Sequence, residues 1–374
     1  MALFTTHTAP HHDDLRWPRS VAECSKMAAF DRQDLQEACE YARRIQDGDV
    51  LVQRVRLDPV RMCNLACEYC ISAMQPEHRR RLRDYSVPYR TIESLVPVLL
   101  RLKATTVQLY GGGEPLLHPM IADIVRLLAT AGLNMQILSN GTCLSSRLLE
   151  AVVEHRSSIR WLRFSVHGVD RESYFKNTGR RWLDRVTKNL ADLTGALARG
   201  GEGPIVSLFV PVADELREPA VRRFLDFAGK CGMDFVSFAE DYRYPSGRER
   251  FPESRELVER LAIDYPDMPV DYCRNRPRAY DGEVCYHELT NLNLVYHSSN
   301  AHLMMVRCCN YYPVGSCGLP IEGFYEAVPV EFLYEKWAEH LKRTLATHPF
   351  SCAFRHECKS ARRNRVMARC IAGA

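Results

Sequence analysis

Short β-branched runs and amphipathic stretches alternate along the chain from Val52 onward. Six runs have the length and composition of buried strands, and they begin near residues 52, 105, 134, 159, 204 and 234. Between them, apolar positions recur at helical spacing near residues 90–103, 119–131, 145–154, 182–199 and 217–231. This alternation predicts an α/β fold with a parallel sheet, either open and doubly wound or barrel-like.

The pattern changes at both ends of the chain. Residues 1–18 lack periodicity and predict a loose tail, whereas apolar positions between Ser20 and Gln46 predict two short amphipathic helices. After about residue 245, "RYPSGRERFPESRE" is typical of a linker, and the stretch beyond it predicts two strands around "HSSN". We therefore expect three parts: an N-terminal segment (1–50), a main α/β domain (51–245) and a cysteine-rich module (246–374).

The composition is that of an ordinary globular protein. Apolar residues make up 46% and charged residues 26% of the 374 positions, and no uncharged run approaches the roughly 18 residues needed to cross a bilayer. The N-terminus lacks a secretory signal, so we expect a cytoplasmic protein without membrane contact. Its 15 cysteines should then be reduced, which makes metal binding their leading use.

Basic residues are concentrated in two runs, "HRRRLR" (78–83) and "ARRNRVMAR" (361–369), within a net charge of +4. A solvated surface is the simpler interpretation of each run, and the alternative is binding of an anionic substrate or a nucleic acid. Neither run carries the interleaved aromatic residues of a base-stacking surface. We therefore do not expect a nucleic-acid partner.

Three cysteines, Cys63, Cys67 and Cys70, follow the first predicted strand within eight positions. Thiolates at this spacing can converge on one face of an iron–sulfur cluster, and three ligands leave one iron open. An open coordination position is where a substrate or cofactor binds a metal, in contrast to a closed structural site. The alternative interpretations are a zinc site or unrelated thiols.

Glycine-rich and polar motifs end the next strands, at the edge where parallel sheets bind ligands. In "LYGGGEPLLHP" (109–119), glycines allow a ligand to approach the backbone, and the carboxylate of Glu114 can accept from an ammonium group. Further polar residues lie at the ends of the third and fourth strands: Ser139, Asn140, Ser165 and His167. For these four residues, capping of the following helix is the alternative role.

Together, these motifs resemble the radical S-adenosylmethionine (radical SAM) enzymes. The cysteine triplet, with aromatic Tyr69 before its last member, is similar to their cluster motif, and "GGGEP" is similar to their GGEP element. The resemblance implies a partial (βα)6 TIM-like barrel over roughly residues 52–241, a [4Fe–4S] cluster and bound S-adenosylmethionine. In the family, a single electron cleaves the sulfonium, and the resulting 5′-deoxyadenosyl radical takes a hydrogen atom from the substrate.

The resemblance also implies site residues, although it assigns no catalytic side chain beyond the cluster. The implied cluster ligands are Cys63, Cys67 and Cys70. The implied S-adenosylmethionine contacts are Tyr69, Gly111, Gly112, Gly113, Glu114, Ser139, Asn140, Ser165, His167 and Val210. Val210 lies on the strand that often binds adenine in the family, but the glycines of that strand are absent here. Glu240 and Asp241 face the site or lie in a solvated loop.

A second cysteine group resembles the SPASM or twitch extensions of this family. The resemblance implies a small α+β extension, a hairpin followed by the helix "EFLYEKWAEHLKR" (331–343), around an auxiliary [4Fe–4S] cluster. Its implied ligands are Cys285, Cys308, Cys352 and Cys358, with Cys309 in place of Cys308 as an open alternative and Cys273, Cys317 and Cys370 as spare candidates. Five residues instead of two separate the last pair, so two clusters, a zinc site or unligated thiols stay open. The remaining cysteines, Cys24, Cys39, Cys143 and Cys231, fit buried small apolar positions.

Three classes of function are compatible with these residues. The first is hydrogen abstraction from a small sugar-like or nucleoside-like molecule in natural-product biosynthesis, leading to dehydrogenation, epimerisation or decarboxylation, with flavodoxin or ferredoxin as external reductant. The second is a SPASM-type peptide-modifying enzyme, which the short N-terminus disfavours because it leaves no room for a leader-binding domain. A related enzymatic reaction, molybdopterin-type GTP cyclisation, is disfavoured because the chain ends in "CIAGA" and lacks the terminal Gly-Gly of the cyclase family. The third is a non-catalytic iron–sulfur protein, which would not need Glu114.

Overall fold

The computed structural model describes residues 25–60, 62–67, 70, 86–212, 214–240, 251–273, 289–297, 302–306, 325–346, 364, 367–368 and 371–372. Within these residues a single sheet contains the strands β1 (Arg54–Asp58), β2 (Thr106–Leu109), β3 (Asn134–Ser139), β4 (Ile159–Ser165), β5 (Ile205–Val212), β6 (Phe235–Glu240), β7 (Val270–Cys273), β8 (Asn291–His297), β9 (His302–Val306) and β10 (Tyr325–Val328). The α-helices are α1 (Ser25–Gln46), α2 (Tyr89–Arg101), α3 (Ile121–Thr130), α4 (Ser146–Glu154), α5 (Arg171–Thr178), α6 (Leu183–Ala198), α7 (Glu218–Lys230), α8 (Pro252–Leu261) and α9 (Leu333–Ala346).

The strand order is β10-β9-β8-β1-β2-β3-β4-β5-β6-β7. All neighbouring pairs from β8 through β1 to β7 are parallel. The pairs β8–β9 and β9–β10 are antiparallel. The six predicted strands, β1 to β6, are confirmed, and so is the α/β class. Because parallel strands end at one edge of the sheet, the loops after β1 to β5 meet there.

The two faces of the sheet differ in polarity. On β1, Val55 and Leu57 are fully buried in the apolar core, while Arg54 and Arg56 alternate with them on the opposite face, where Arg54 pairs with Asp34 of α1. The strand register places Gln108, Gln136, Arg163 and Ser207 on that opposite face, beside apolar residues such as Leu138 and Phe209. The sheet therefore has an apolar face under helices and an inner face that carries most of its polar side chains, which we call the polar inner face.

The five predicted helices between the strands are confirmed as α2, α3, α4, α6 and α7. The N-terminal prediction was wrong in one respect, because a single 22-residue helix, α1, replaces two short ones. Its sequence contains no proline or glycine between the two apolar groups, so nothing interrupts the helix. Helix α5 was not predicted, because only Tyr174 and Thr178 of its eight residues are buried and no apolar stripe forms.

The predicted boundary region after residue 245 also differs from expectation. Helix α8 begins at Pro252, inside the predicted linker, and β7 follows it, so the strand–helix alternation continues for one more unit. The predicted hairpin around "HSSN" is confirmed as β8 and β9, but β8 also pairs with β1, with Arg54 opposite Asn291. The described part of residues 246–374 thus extends the main sheet at both edges.

Helix α9, the predicted helix at 331–343, packs on the start of β1. The Trp337 side chain is 1% exposed, and its indole N–H donates to the Leu51 carbonyl at 2.7 Å. In the run 361–369, Asn364 and Met367 are fully buried, so this run is not simply a solvated surface as predicted. In the part of the chain that the structure describes, no helix combines the length and apolarity that a membrane crossing requires.

Candidate active site

The loop that follows β1 carries the cysteine triplet and is fastened on two sides. The Met62 carbonyl accepts a hydrogen bond at 2.8 Å from the backbone N–H of Glu114, in the turn after β2. The backbone N–H of Ala66 donates to the carbonyl of Thr178, the last residue of α5, at 2.9 Å. The loop is therefore held between the glycine-rich turn and α5.

The three thiols of this loop differ in exposure. Cys63 is exposed, Cys70 is half-buried and Cys67 is buried, and the Cys70 backbone N–H donates to the Cys67 carbonyl at 3.2 Å. Tyr69 lies outside the described residues. Among the residues that the structure does describe, no group of three or more His, Cys, Asp or Glu side chains is already gathered as a metal site. The structure thus places three thiols on one short loop without bringing them to metal-binding distances.

The glycine-rich turn after β2 lies directly over the end of β1. The Gly112 backbone N–H donates to a carboxylate oxygen of Asp58 at 3.3 Å. A Cβ atom on Gly111 would lie 1.9 Å from the other Asp58 oxygen, so only glycine fits at this position without a shift of the carboxylate. Gly113 completes the turn, and all three glycines are half-buried. A ligand at this edge of the sheet can therefore approach the backbone closely.

The Glu114 carboxylate joins this turn to the loop after β3. Its Oε1 accepts hydrogen bonds from the Ser139 hydroxyl at 2.7 Å and from the Leu116 backbone N–H at 3.0 Å, and its Oε2 accepts from the Asn140 backbone N–H at 2.6 Å. The residue is 2% exposed. Burial raises the pKa of Glu114 to about 7, although the three donors each favour the ionised form. Glu114 therefore holds two loops together with its side chain.

Three side chains form a closed ring of hydrogen bonds beside Cys63. The Asn140 amide donates to Asn64 at 3.0 Å, Asn64 donates to the Thr142 hydroxyl at 2.8 Å, and Thr142 donates to the Asn140 oxygen at 2.6 Å. Asn140 Nδ2 also lies 3.9 Å from Cys63 Sγ. The ring fixes the loop after β3 against the cysteine loop. Asn64 and Thr142 carried no sequence signal of their own, since polar residues in loops are common.

Tyr174 of α5 is a second site residue that the sequence did not reveal. It is 1% exposed, and its hydroxyl has no hydrogen-bond partner among the described residues. Burial is the main cause that raises the pKa of Tyr174 above its usual value, and the nearby thiols of Cys67 and Cys63 add to it, followed by Glu114. A buried hydroxyl without a protein partner beside two thiols fits a site that a polar group completes on binding.

The ends of β4 and β5, together with one side of α5, line a cleft of about 130 Å³. Its lining includes His167 and Val210, and the Asn177 amide donates to the His167 carbonyl at 2.5 Å. Burial of its ring lowers the pKa of His167 to about 4, so the ring is neutral near pH 7. Ser165 ends β4 and is half-buried, but it is not among the lining residues.

The alternative that the strand-end polar residues cap the following helices is wrong. The N-cap of α4 is Ser145, whose side chain accepts from the Leu148 backbone N–H. The N-cap of α5 is Asp170, whose side chain accepts from the Ser173 backbone N–H. Ser139, Asn140 and the residues at the end of β4 therefore have no capping role.

Several predicted residues lie outside the described residues, namely Cys285, Cys308, Cys309, Cys317, Cys352, Cys358, Cys370, Cys24 and Asp241, together with the side chains of Cys273 and Glu240. Cys39 and Cys231 are buried, as predicted. Cys143 was expected to be buried, but it is half-buried and its sulfur lies 3.5 Å from the Asn64 amide. It differs because it follows the loop after β3 instead of occupying a helix or strand.

Comparison with known proteins agrees with this geometry. A family model described as the radical SAM superfamily matches residues 57–206, which include the cysteine loop and the ends of β2 to β4. The GTP 3′,8-cyclase of Chlorobaculum tepidum is 27% identical over 228 residues, a match that covers 58% of this chain and 63% of that protein, slightly less than two thirds of its length. The probable GTP 3′,8-cyclase of Pyrococcus horikoshii is 31% identical over 249 residues, which cover 62% of this chain and 73% of that protein.

Similar solved structures include Streptococcus suis SuiB bound to S-adenosylmethionine. The superposition has a TM-score of 0.58 at 14% identity, and it covers 83% of this chain and 73% of SuiB. At this identity the likeness shows the fold alone. The partial-barrel fold that the sequence motifs implied is thus confirmed. The family match and the relatives above show that the chain belongs to the radical SAM superfamily of enzymes, which use a [4Fe–4S] cluster and S-adenosylmethionine.

Proposed function

We propose that this radical SAM enzyme abstracts a hydrogen atom from a small, polar, nucleoside-like or sugar-like molecule. The observation that supports the proposal best is the meeting of three elements at one edge of the sheet: the thiol loop after β1, the glycine-rich turn after β2 and the Asn140 loop after β3. This edge adjoins the polar inner face of the sheet. A small molecule that contacts that face would reach the cofactor site directly.

Cys63, Cys67 and Cys70 would hold the [4Fe–4S] cluster. Their donor chemistry fits, because three thiols share one short loop, and the buried Tyr174 hydroxyl beside them lacks a hydrogen-bond partner among the described residues. When bound, the cluster and S-adenosylmethionine supply a one-electron cleavage that yields an acceptor for a hydrogen atom. The auxiliary cluster at Cys285, Cys308, Cys352 and Cys358 stays a prediction.

The chain's own residues would position the cofactor from several strands. Gly111, Gly112 and Gly113 expose backbone groups, while Glu114 keeps their turn attached to the loop after β3. Asn140 would orient Cys63 through its 3.9 Å contact with the sulfur. The cleft beside neutral His167 and apolar Val210 offers a place for a nucleoside group.

The polar inner face supports a small polar substrate. The Gln108 and Gln136 side chains are buried and hydrogen-bonded to each other at 3.0 Å, and the Trp161 indole donates to the Ser207 hydroxyl at 2.7 Å. Buried amides and hydroxyls select ligands that can hydrogen-bond with them. The names of the relatives point the same way, since a GTP 3′,8-cyclase acts on a nucleotide.

The cleavage activity is tested by incubating the anaerobically iron-loaded protein with dithionite and S-adenosylmethionine and measuring 5′-deoxyadenosine. We expect product from the unchanged chain and from Cys231→Ala, whose buried thiol lies away from the loop. We expect none from Cys67→Ala, because losing one of three ligands should destabilise the cluster. Absence of 5′-deoxyadenosine from the unchanged chain at full iron loading, or full activity of Cys67→Ala, would contradict the proposal.

The substrate class is tested by isotope transfer under the same conditions. We expect deuterium in 5′-deoxyadenosine when GTP, or another nucleoside or sugar deuterated on its ring carbons, is added. Transfer only from a peptide would refute the small-molecule substrate while leaving the cleavage activity intact.

A further inference from the structure

A strongly basic surface lies at the junction of α5 and α6. It consists of four exposed cations, Lys176, Arg180, Arg181 and Arg185. Among the described residues, none of these four forms an ion pair, whereas the neighbouring Arg171 and Lys188 are paired with Asp184 and Asp192. Within α5 itself, Glu172 is the exposed carboxylate. The surface therefore keeps a net positive charge.

Two aromatic residues lie within this basic surface. Phe175 is 43% exposed, and the guanidinium carbon of Arg181 is 4.5 Å from its ring centroid. Trp182 is half-buried, with the guanidinium carbons of Arg180 and Arg185 at 5.4 and 5.6 Å from its ring centroid. Stacking on the rings holds these cations in place, so less side-chain entropy is lost when a partner binds.

The basic surface is continuous with the cysteine loop. Arg180 Nε donates to the Asn64 carbonyl at 3.0 Å, one residue after Cys63. On the opposite, buried side of α5, Tyr174 lies beside the thiols of the same loop. A protein that docks on this surface would therefore lie next to the loop that holds the cluster.

We propose that this basic surface docks the acidic electron-carrier protein, of the flavodoxin or ferredoxin class, that reduces the enzyme. The inference rests on the proposed function, because cleavage of S-adenosylmethionine requires one electron from outside the chain. In the step the carrier loses one electron and the enzyme gains it, with no group transferred. Opposite charges on the two proteins speed their encounter and orient the carrier toward the cysteine loop.

The chemistry of the surface favours an acidic protein over a nucleic acid. Single-stranded nucleic acids bind by stacking bases on aromatic faces, but both rings here already have guanidinium groups over them. An acidic protein needs no free ring face, since its carboxylates can pair with the guanidinium groups directly.

The test compares the double variant Arg181→Glu/Arg185→Glu with Arg199→Glu in the iron-loaded protein. Arg199 is exposed just beyond the C-terminal end of α6. The helical rise of 1.5 Å per residue places it about 20 Å from Arg185. Two quantities are measured: the Kd for a bacterial flavodoxin at about 50 and about 300 mM NaCl, and 5′-deoxyadenosine formation driven by reduced flavodoxin or by dithionite. We expect the double variant to weaken flavodoxin binding at low salt and to slow the flavodoxin-driven reaction, each by about tenfold or more. The dithionite-driven rate, and both quantities for Arg199→Glu, should not change.

The proposal would be overturned if the folded double variant bound flavodoxin as tightly as wild type does. It would also be overturned if the double variant lost binding of a single-stranded oligonucleotide but kept flavodoxin binding. If charge reversal also lowers the dithionite-driven rate, the milder variant Arg181→Gln/Arg185→Gln is used to test the docking surface. The docking surface is refuted if that variant binds flavodoxin with the same Kd as the unchanged enzyme. If the unchanged chain forms no 5′-deoxyadenosine with dithionite, the proposed function fails, while the binding data still judge the surface.

Discussion

Glu114 shows how one side chain can hold two loops of a site together. Its carboxylate accepts from Ser139, Asn140 and Leu116, so it joins the turn after β2 to the loop after β3. The sequence resemblance implied that this residue helps to hold the methionine amino group. In the structure its oxygens already accept from three donors of the protein, and the glycine-rich turn beside it adds backbone groups to the same edge of the sheet.

The pH dependence of stability should report on this carboxyl group. Because burial raises the folded-state pKa from 4.5 to about 7, the folded protein binds the proton more tightly than the unfolded chain does. The stabilising contribution is complete below about pH 4.5 and is lost as the pH rises through 7. The free-energy advantage of wild type over Glu114→Gln should therefore shrink with rising pH, by at most about 3 kcal/mol over that window.

Urea unfolding of the iron-free protein at several pH values between about 5 and about 8 measures this difference. The matched control is Glu93→Gln, which removes an exposed carboxyl group on α2. An advantage that stays constant between about pH 5 and about pH 8 would show instead that Glu114 is ionised throughout and that its three donors outweigh burial.

Sequence analysis identified the residues that carry a motif but not those that support them. Glu114, Ser139 and Asn140 could be predicted because glycine-rich and polar strand ends are recognisable in a linear sequence. Asn64 and Tyr174 could not, because their roles depend on which loops and helices pack together. Asn64 becomes informative only when the loop after β3 lies beside it, and Tyr174 only when α5 covers the cysteine loop.

At the scale of elements, two glycines predict opposite effects of the same substitution. Gly111→Ala would place a Cβ 1.9 Å from the buried Asp58 carboxylate, so we expect a loss of about 1–3 kcal/mol and a distorted turn. Gly195→Ala lies inside α6, where the new Cβ would meet only an Arg199 side-chain atom at 3.9 Å. There we expect a gain of about 0.5–1 kcal/mol from the better helix propensity of alanine.

Thermal unfolding of the two variants and wild type checks both signs in one experiment. Iron loading and 5′-deoxyadenosine formation should fall only in Gly111→Ala, because α6 does not form the turn. Equal stability of the two variants would mean that Asp58 moves freely and that the glycine-rich turn tolerates a side chain.

Elements with a clear period were predictable, and elements that depend on context were not. Helices α2, α3, α4, α6 and α7 each bury one apolar stripe against the sheet. Helix α5 buries only two residues, and its place is set by contact with the cysteine loop. Strand β7 is as short as β2, but it follows the stretch typical of a linker, where the repeating strand–helix pattern that marked β2 is absent from the sequence.

At the scale of the whole molecule, the position of β8 could not be read from local sequence. Its alternation predicted a strand in a hairpin, but whether the hairpin stands alone or joins the main sheet depends on which edge is available. In the structure, β8 pairs with β1 along five residues. Strand β1, which leads into the cysteine loop, is thereby a central strand with neighbours on both sides.

This arrangement predicts that residues 1–245 are not an independent domain, although the sequence suggested a boundary there. Removing the rest of the chain would strip β8 from β1 and β7 from β6, leaving two edges with unpaired backbone groups. It would also remove the Trp337 indole that donates to the Leu51 carbonyl just before β1.

We expect the 1–245 fragment to aggregate or to unfold without a cooperative transition, as judged by size-exclusion chromatography and thermal circular dichroism. Co-expression with residues 246–374 should restore a soluble complex. A monomeric fragment that unfolds cooperatively would show instead that the first six strands suffice, and that β7 and β8 only shield a sheet already stable without them.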